Sequence, residues 1–393
     1  MKKSLAALAV LGAFAGSAMA AEVTLYGDID EGLVYTHTKD KGTRTVGDES
    51  DSAKDSTNTF DMQSGVNVSS KFGLKGTEDL GNGLKVGFKL ENGFNADDGS
   101  FGDSDRLFNR EASLSVYSNF GTVSFGRMGG VASSAGTYDL VYGIGDAFDG
   151  GDQFAWGLEH SDRYDNMITY QSPKVVGLQA TVQYSFKNDS TEKYGDEGRS
   201  TANRYASFAL TGEWGPAQVV AAYELQKYST LYRDEDKKPK DGHAFYLGGN
   251  YDFGVAKVFG LAQYVTGGKN VFGSDKLSYF GGKLTFDLDR DDLTEKGIET
   301  FGFHLGAIVP VCGGELTTGL YYADAELKGL EDAKVDGKYY GAGVRYTYPL
   351  SNRTSLYTGA GYAYSKLKAS VDDESAKLTK TTGGAYVGVS HHF

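Results

Sequence analysis

The side chains best placed to do chemistry lie in one stretch, Met128 to Asp162, thirty-five residues with little periodicity. It carries the carboxylates Asp139, Asp146, Asp149, Asp152 and Glu159 among the aromatic residues Tyr138, Tyr142, Phe148, Phe154 and Trp156. Arg127 precedes it and Arg163 follows it, each at the end of a strand-like run. Catalysis by carboxylates would need a partner acid, base or metal ligand at a defined spacing. The six histidines, His37, His160, His243, His304, His391 and His392, are scattered, and no motif joins one to a serine nucleophile or a second metal ligand. The stretch therefore implies no cofactor, no metal and no enzyme. Connections this long are functional or disordered, and five aromatic rings argue for packing. A packed, acidic, aromatic loop bracketed by arginines could line a passage.

The elements that must position such a loop are legible at both ends of the chain. Lys2 and Lys3, the apolar run Leu5 to Phe14 and Ala18-Met19-Ala20 read as a cleaved secretory signal over residues 1–20. That run is too short for a membrane helix, which needs about 20 apolar residues. The mature domain is expected over 21–393. At the other end, Gly384 to Phe393 alternates in hydropathy and stops on an aromatic residue.

Removing the two leader lysines from the total of 39 leaves 37 basic against 52 acidic residues, a formal charge of −15. No basic stripe is present, so nucleic acid is excluded as a partner. The single Cys312 allows no internal disulfide. Twenty-seven Tyr, 22 Phe and 55 Gly against 5 Pro suit strands, turns and the aromatic girdles of a membrane barrel.

Alternation runs through the whole mature chain. Val23, Leu25, Ile29 and Leu33 share one parity, and Tyr26, Asp28 and Asp30 share the other. Val66, Val68, Phe72 and Leu74 face lipid, which leaves Lys71 and Lys75 inward; Val86, Phe88 and Leu90 place Lys85 and Lys89 inward. Asn82-Gly83 is a hairpin turn. Thr38 to Thr59 reads as a polar connection. Strands open near residues 22, 61, 84, 106, 122, 163, 178, 204, 217, 243, 255, 300, 315, 338, 355 and 383, sixteen in all. Leu277 to Leu288 also alternates; it reads as part of a large outer loop, with eighteen strands as the alternative. The predicted fold is all-β, a transmembrane antiparallel β-barrel with long loops on one side and tight turns on the other.

Several segments, taken in order, resemble the general porins of Gram-negative bacteria, the proteobacterial group that includes neisserial porins. They are Val23-Thr24-Leu25-Tyr26-Gly27, Lys71 to Gly83, Phe120 to Arg127, Arg163 to Asn166 with Tyr170 to Pro173, Tyr348 to Thr354, and the terminal Phe393. The resemblance implies a homotrimer of sixteen-stranded barrels in the outer membrane, among lipid and lipopolysaccharide. Each pore would pass ions and small hydrophilic solutes and be narrowed by an inward-folded third outer loop, here Met128 to Asp162. It further implies a basic ladder on the wall, matched by Lys71, Arg110 and Arg163 with Arg127 beside it, and loop acids matched by Asp146 and Asp149. Strict alternation with Ala112, Leu114 and Val116 would turn Arg110 to lipid unless it stands at a strand end. Asp28 departs from the family, which often has a lysine there, and tips the expected selectivity slightly towards cations.

Two other readings keep the barrel and change the function. An adhesin would act through its polar outer loops. A substrate-specific channel would use Tyr138, Tyr142, Phe154 and Trp156 as a stacked path.

Overall fold

The computed structural model describes residues 22–232, 240–268, 278–279, 284–285, 297–327, 333–371 and 374–393. The predicted leader lies outside the described residues. The strands are β1 (Glu22–Val46), β2 (Glu49–Ser64), β3 (Lys71–Gly81), β4 (Leu84–Gly93), β5 (Glu111–Ser118), β6 (Gly121–Gly129), β7 (Arg163–Gln171), β8 (Leu178–Ser185), β9 (Arg204–Trp214) and β10 (Ala217–Lys227). They continue as β11 (Gly242–Asp252), β12 (Lys257–Gly268), β13 (Ser278–Tyr279), β14 (Leu284–Thr285), β15 (Ile298–Val311), β16 (Gly314–Leu327), β17 (Ala333–Pro349), β18 (Thr354–Val371) and β19 (Glu374–His392). One short helix, α1 (Val141–Gly145), lies in the long loop between β6 and β7.

Seventeen of these strands form one antiparallel sheet that closes where β1 pairs with β19. β2 and β3 lie end to end along β1, which pairs with β3 from Glu22↔Thr77 to Asp28↔Lys71 and with β2 from Glu31↔Ser64 to Val46↔Glu49. They make one interrupted stave, so the wall has sixteen. Among the described residues β13 and β14 pair with each other and not with the wall sheet, and the rest of Leu277 to Leu288 lies outside the described residues.

Alternation has the expected cause. Outward residues such as Leu25, Leu247, Leu305, Leu320 and Val387 are half or more exposed, as a band facing hydrocarbon requires. Their neighbours Asp28, Asp30, His304 and Tyr386 are buried inside. Tight turns close one rim: Asn82-Gly83 (φ 54° and 78°) and Cys312-Gly313 (φ 49° and 79°) both occupy the left-handed region that two-residue hairpins demand.

Strands β17 and β19 open earlier than expected, at Ala333 and Glu374 rather than near 338 and 383, and two further differences bear on the site. Thr38 to Thr59 is not a connection but the overhang of the β1–β2 hairpin, paired out to Val46↔Glu49. Twenty-five residues at about 3.4 Å each exceed what a bilayer needs, and beyond it both faces meet water. Threonine and β-pairing hold the strand there without hydropathic alternation. Second, the fourth stave opens at Glu111 rather than Arg106. Arg110 thus stands before the strand and escapes its parity.

Candidate functional site

The loop from 130 to 162 is the third on the rim opposite the tight turns, and it lies inside the barrel. Val131, Val141, Tyr142, Phe148, Ala155 and Leu158 pack with inward residues of the wall, among them Tyr246, Leu261, Tyr321 and Tyr339. Polar anchors run along its length. The Ala132 amide donates to Glu224 Oε1 at 3.2 Å, the Trp156 amide to Tyr339 Oη at 2.9 Å, and Tyr386 Oη donates to Asp152.

A belt of glycines makes room for this arc. Gly306, Gly319, Gly343, Gly361 and Gly384 are direct register partners across β15 to β19. A Cβ on Gly306 would fall 2.7 Å from Ala147 Cβ, one on Gly319 would meet the Phe148 ring at 2.8 Å, and one on Gly343 would meet Asp152 Cβ at 2.8 Å. On Gly384 it would stand 2.4 Å from the Phe154 ring. The loop is seated where the wall has no side chains.

That seating leaves the staves from β1 to β5 as the open side of the passage. Lys71 Nζ lies 2.6 Å from Asp28 Oδ2, and His392 Nδ1 approaches the other Asp28 oxygen. Arg110 Nε is 2.8 Å from Glu91 Oε1, and Lys89 Nζ is 2.8 Å from Glu111 Oε2. Glu91 also accepts from Tyr26 Oη at 2.8 Å, and Thr137 Oγ1 of the loop donates to Glu111 at 2.7 Å. Lys71 and Arg163 each feel the charge of Arg110 and Glu91. Arg163 makes no ion pair with a described carboxylate, and its Nε has no hydrogen-bond partner.

The other sequence-derived positions are placed differently. The register shift between Gly126 and Met128 turns Arg127 to the base of the second outer loop, where Nη1 lies 2.6 Å from Asp165 Oδ1 and Nε donates to Asn109 O. Asp146 is buried and used as a fastener, accepting from Tyr321 Oη (2.8 Å), the Phe148 amide (2.9 Å) and the Gly151 amide (3.1 Å). Asp149 is exposed and its charge acts on the half-buried Asp139. Burial and the Asp149 charge push Asp139 up to about 8.

Sequence reasoning missed Glu91 and Glu111, and it named Asp139 on the loop without giving it a place at the constriction. Parity could have found the first two: Glu91 follows Lys89 on the inward face of β4, and Glu111 precedes Ser113 and Ser115 on that of β5. The arrangement has charges of both signs across a lumen. Among the described residues no group of three or more His, Cys, Asp or Glu could hold a metal ion.

Comparison with known proteins agrees with this geometry. A family described as Gram-negative porin matches residues 7–370. An outer membrane porin protein of Bordetella pertussis is 34% identical and outer membrane porin protein 32 of Delftia acidovorans 33% identical, each over all of both chains. The major outer membrane protein P.IB of Neisseria meningitidis is 26% identical, again over all of both chains. Among solved structures, an anion-selective porin from Comamonas acidovorans superposes with a TM-score of 0.61 at 26% identity, covering 95% of this chain and 100% of that one. A trimeric form of OmpT from Vibrio cholerae, 17% identical, shares the fold at a TM-score of 0.55. With a family match over most of its length and two full-length relatives above 30% identity, the chain belongs to the Gram-negative porins, outer-membrane channels rather than enzymes.

Proposed function

We propose that this porin passes ions and small hydrophilic solutes passively through the gap between its third outer loop and the β1–β5 wall, with weak selectivity leaning to cations. The observation that carries the reading is pairing. Lys71, Arg110 and Lys89 each sit on a wall carboxylate, Asp28, Glu91 and Glu111. The basic side is therefore nearly neutralised where an ion would pass. Charges beyond about 8 Å are screened at physiological salt, so the eyelet decides. There the Asp139–Asp149 pair adds negative charge from the loop side, and Lys71, Arg110 and Arg163 with Asp28 and Asp149 form the constriction. Asp146 fixes the loop from behind, and Arg127 braces the rim.

One observation favours the opposite sign. Arg163 makes no ion pair with a described carboxylate and its Nε has no hydrogen-bond partner, and the similar structure from Comamonas acidovorans is named anion-selective. Reversal potential under a tenfold KCl gradient distinguishes the two: cation preference supports the pairing argument, and anion preference gives Arg163 the deciding role. Shortening Tyr138–Trp156 in a barrel that still forms should raise single-channel conductance. Assembly as a homotrimer belongs to the same proposal, and conductance steps in threes with cross-linking to trimers would test it.

A further inference from the structure

A second hollow lies away from the constriction, between the returning limb of the third loop and the outer ends of β10 to β12. Tyr228 follows β10, Gly242 opens β11 and Gly268 closes β12, so all three stand at the rim that carries the long connections. The hollow measures about 250 Å³, and Glu159, Asp162 and Glu224 line it together with Tyr164, Tyr228 and Tyr246. Gln226, His160 and His243 are also in its lining, which holds no lysine or arginine among the described residues.

The walls are fixed by contacts of their own. Glu224 is buried and accepts from the Tyr246 hydroxyl and from the Ala132 amide, each at 3.2 Å. The Tyr164 hydroxyl accepts from the Asp162 amide at 3.2 Å, and the Tyr164 ring lies 4.3 Å from that of Tyr205. His160 and Asp162 are exposed, which leaves the mouth open to water. Tyr228 and Tyr246 both lie in the field of Glu159, and Tyr164 lies in that of Glu224 and Asp162. Negative charge is thus gathered around aromatic surface.

This combination selects by chemistry. A compact metal ion needs several ligands at one point, and among the described residues no group of three or more His, Cys, Asp or Glu offers that. The carboxylates instead line a hollow of solute size beside three tyrosine rings. An anion would meet three carboxylates and no lysine or arginine. A neutral solute would use the rings and leave the carboxylates unmatched. An ammonium group on a hydrocarbon body uses both, because ring faces and carboxylates attract the same spread positive charge.

We propose that this hollow is a docking subsite for small organic ammonium ions, with Glu159 and Asp162 supplying the counter-charge and Tyr228 and Tyr246 the ring faces. A solute entering from the long-loop side meets it before the eyelet, so it concentrates such cations on the outer side of the third loop. Binding here is independent of the sign of ion selectivity at the constriction.

The test uses the full chain purified in detergent, with choline as the ammonium probe and dimethylbutanol as its uncharged isostere. Saturation-transfer NMR titrations give the affinity for each, and single-channel conductance is recorded on the same samples. The wild type should bind choline at least about tenfold more tightly than the isostere, and equimolar magnesium chloride should not displace it. Asp162→Asn and Tyr228→Leu should each weaken choline binding at least about threefold. Lys85→Gln, at the opposite rim, should leave it intact. Equal affinity for the two probes, displacement by magnesium, or choline binding unchanged in either site variant would overturn the proposal. The wild-type comparison decides even where a variant fails to assemble, and a normal conductance with no choline preference separates failure of this site from failure of the channel.

Discussion

Asp28 and Lys71 stand opposite each other in the β1–β3 ladder, carboxylate to ammonium at 2.6 Å. The basic residue that faces the passage is thus supplied together with its counter-charge, from adjacent staves. Removing either charge would leave the other without its ion-pair partner.

Asp28→Asn should release the Lys71 charge and shift the permeability ratio towards anions by about two- to threefold. A unit charge a few ångströms from an ion in water is worth about 1 kcal/mol or less. Reversal potentials of wild type and variant under one KCl gradient check this, and an unmoved potential would place the pair outside the ion path.

The Asp139–Asp149 pair should make the pore respond to alkali. Asp139 is held up to about 8 by burial and by Asp149, far above the ordinary 3.9. A carboxyl whose pKa is raised by folding favours the fold fully below about pH 4 and loses that contribution as pH rises through 8. The eyelet gains negative charge over the same upper range. Cation preference should rise and thermal stability fall between pH 7 and 9, and Asp139→Asn should flatten both curves. A potential that is flat with pH in the wild type would refute the assignment.

Gly319→Val places new atoms against the Phe148 ring and His304. Overpacking of this kind costs about 1–3 kcal/mol. The variant should unfold at lower temperature and carry altered conductance, and Phe148→Ala in the same chain should recover part of the loss. Additive effects of the two changes would mean that loop and belt do not touch.

Phe393 closes the barrel through two backbone hydrogen bonds with Gly27, each of 3.0 Å. Deleting it should reduce the membrane-inserted, heat-modifiable form. Unchanged assembly on cell fractionation would remove the sorting role expected for this residue.

What could be read beforehand follows the medium each residue meets. Val23, Leu25, Ile29 and Leu33 alternate with Asp28 and Asp30 because one face meets hydrocarbon and the other the lumen, so staves and faces were legible. The overhang beyond Thr38 was not, since water on both sides erases the pattern. The conflict over Arg110 vanished because the stave begins at Glu111, just past Arg110. Asp146 and Asp149, close in sequence, part company because one is buried against Tyr321 and the other is exposed. Only tertiary contacts make that choice.

The glycine belt also bears on how quietly the channel conducts. A loop tethered only at its two ends would swing across the gap and chop the current. Here successive residues from Ala147 to Phe154 are seated on five neighbouring staves, so the arc has no free span over which to flap. Its fluctuations are tied to those of the whole wall, which is stiff and slow to deform. The open-channel trace should therefore show little flicker in the millisecond range, and substitutions in the belt should show themselves first as noise, before any change in mean current.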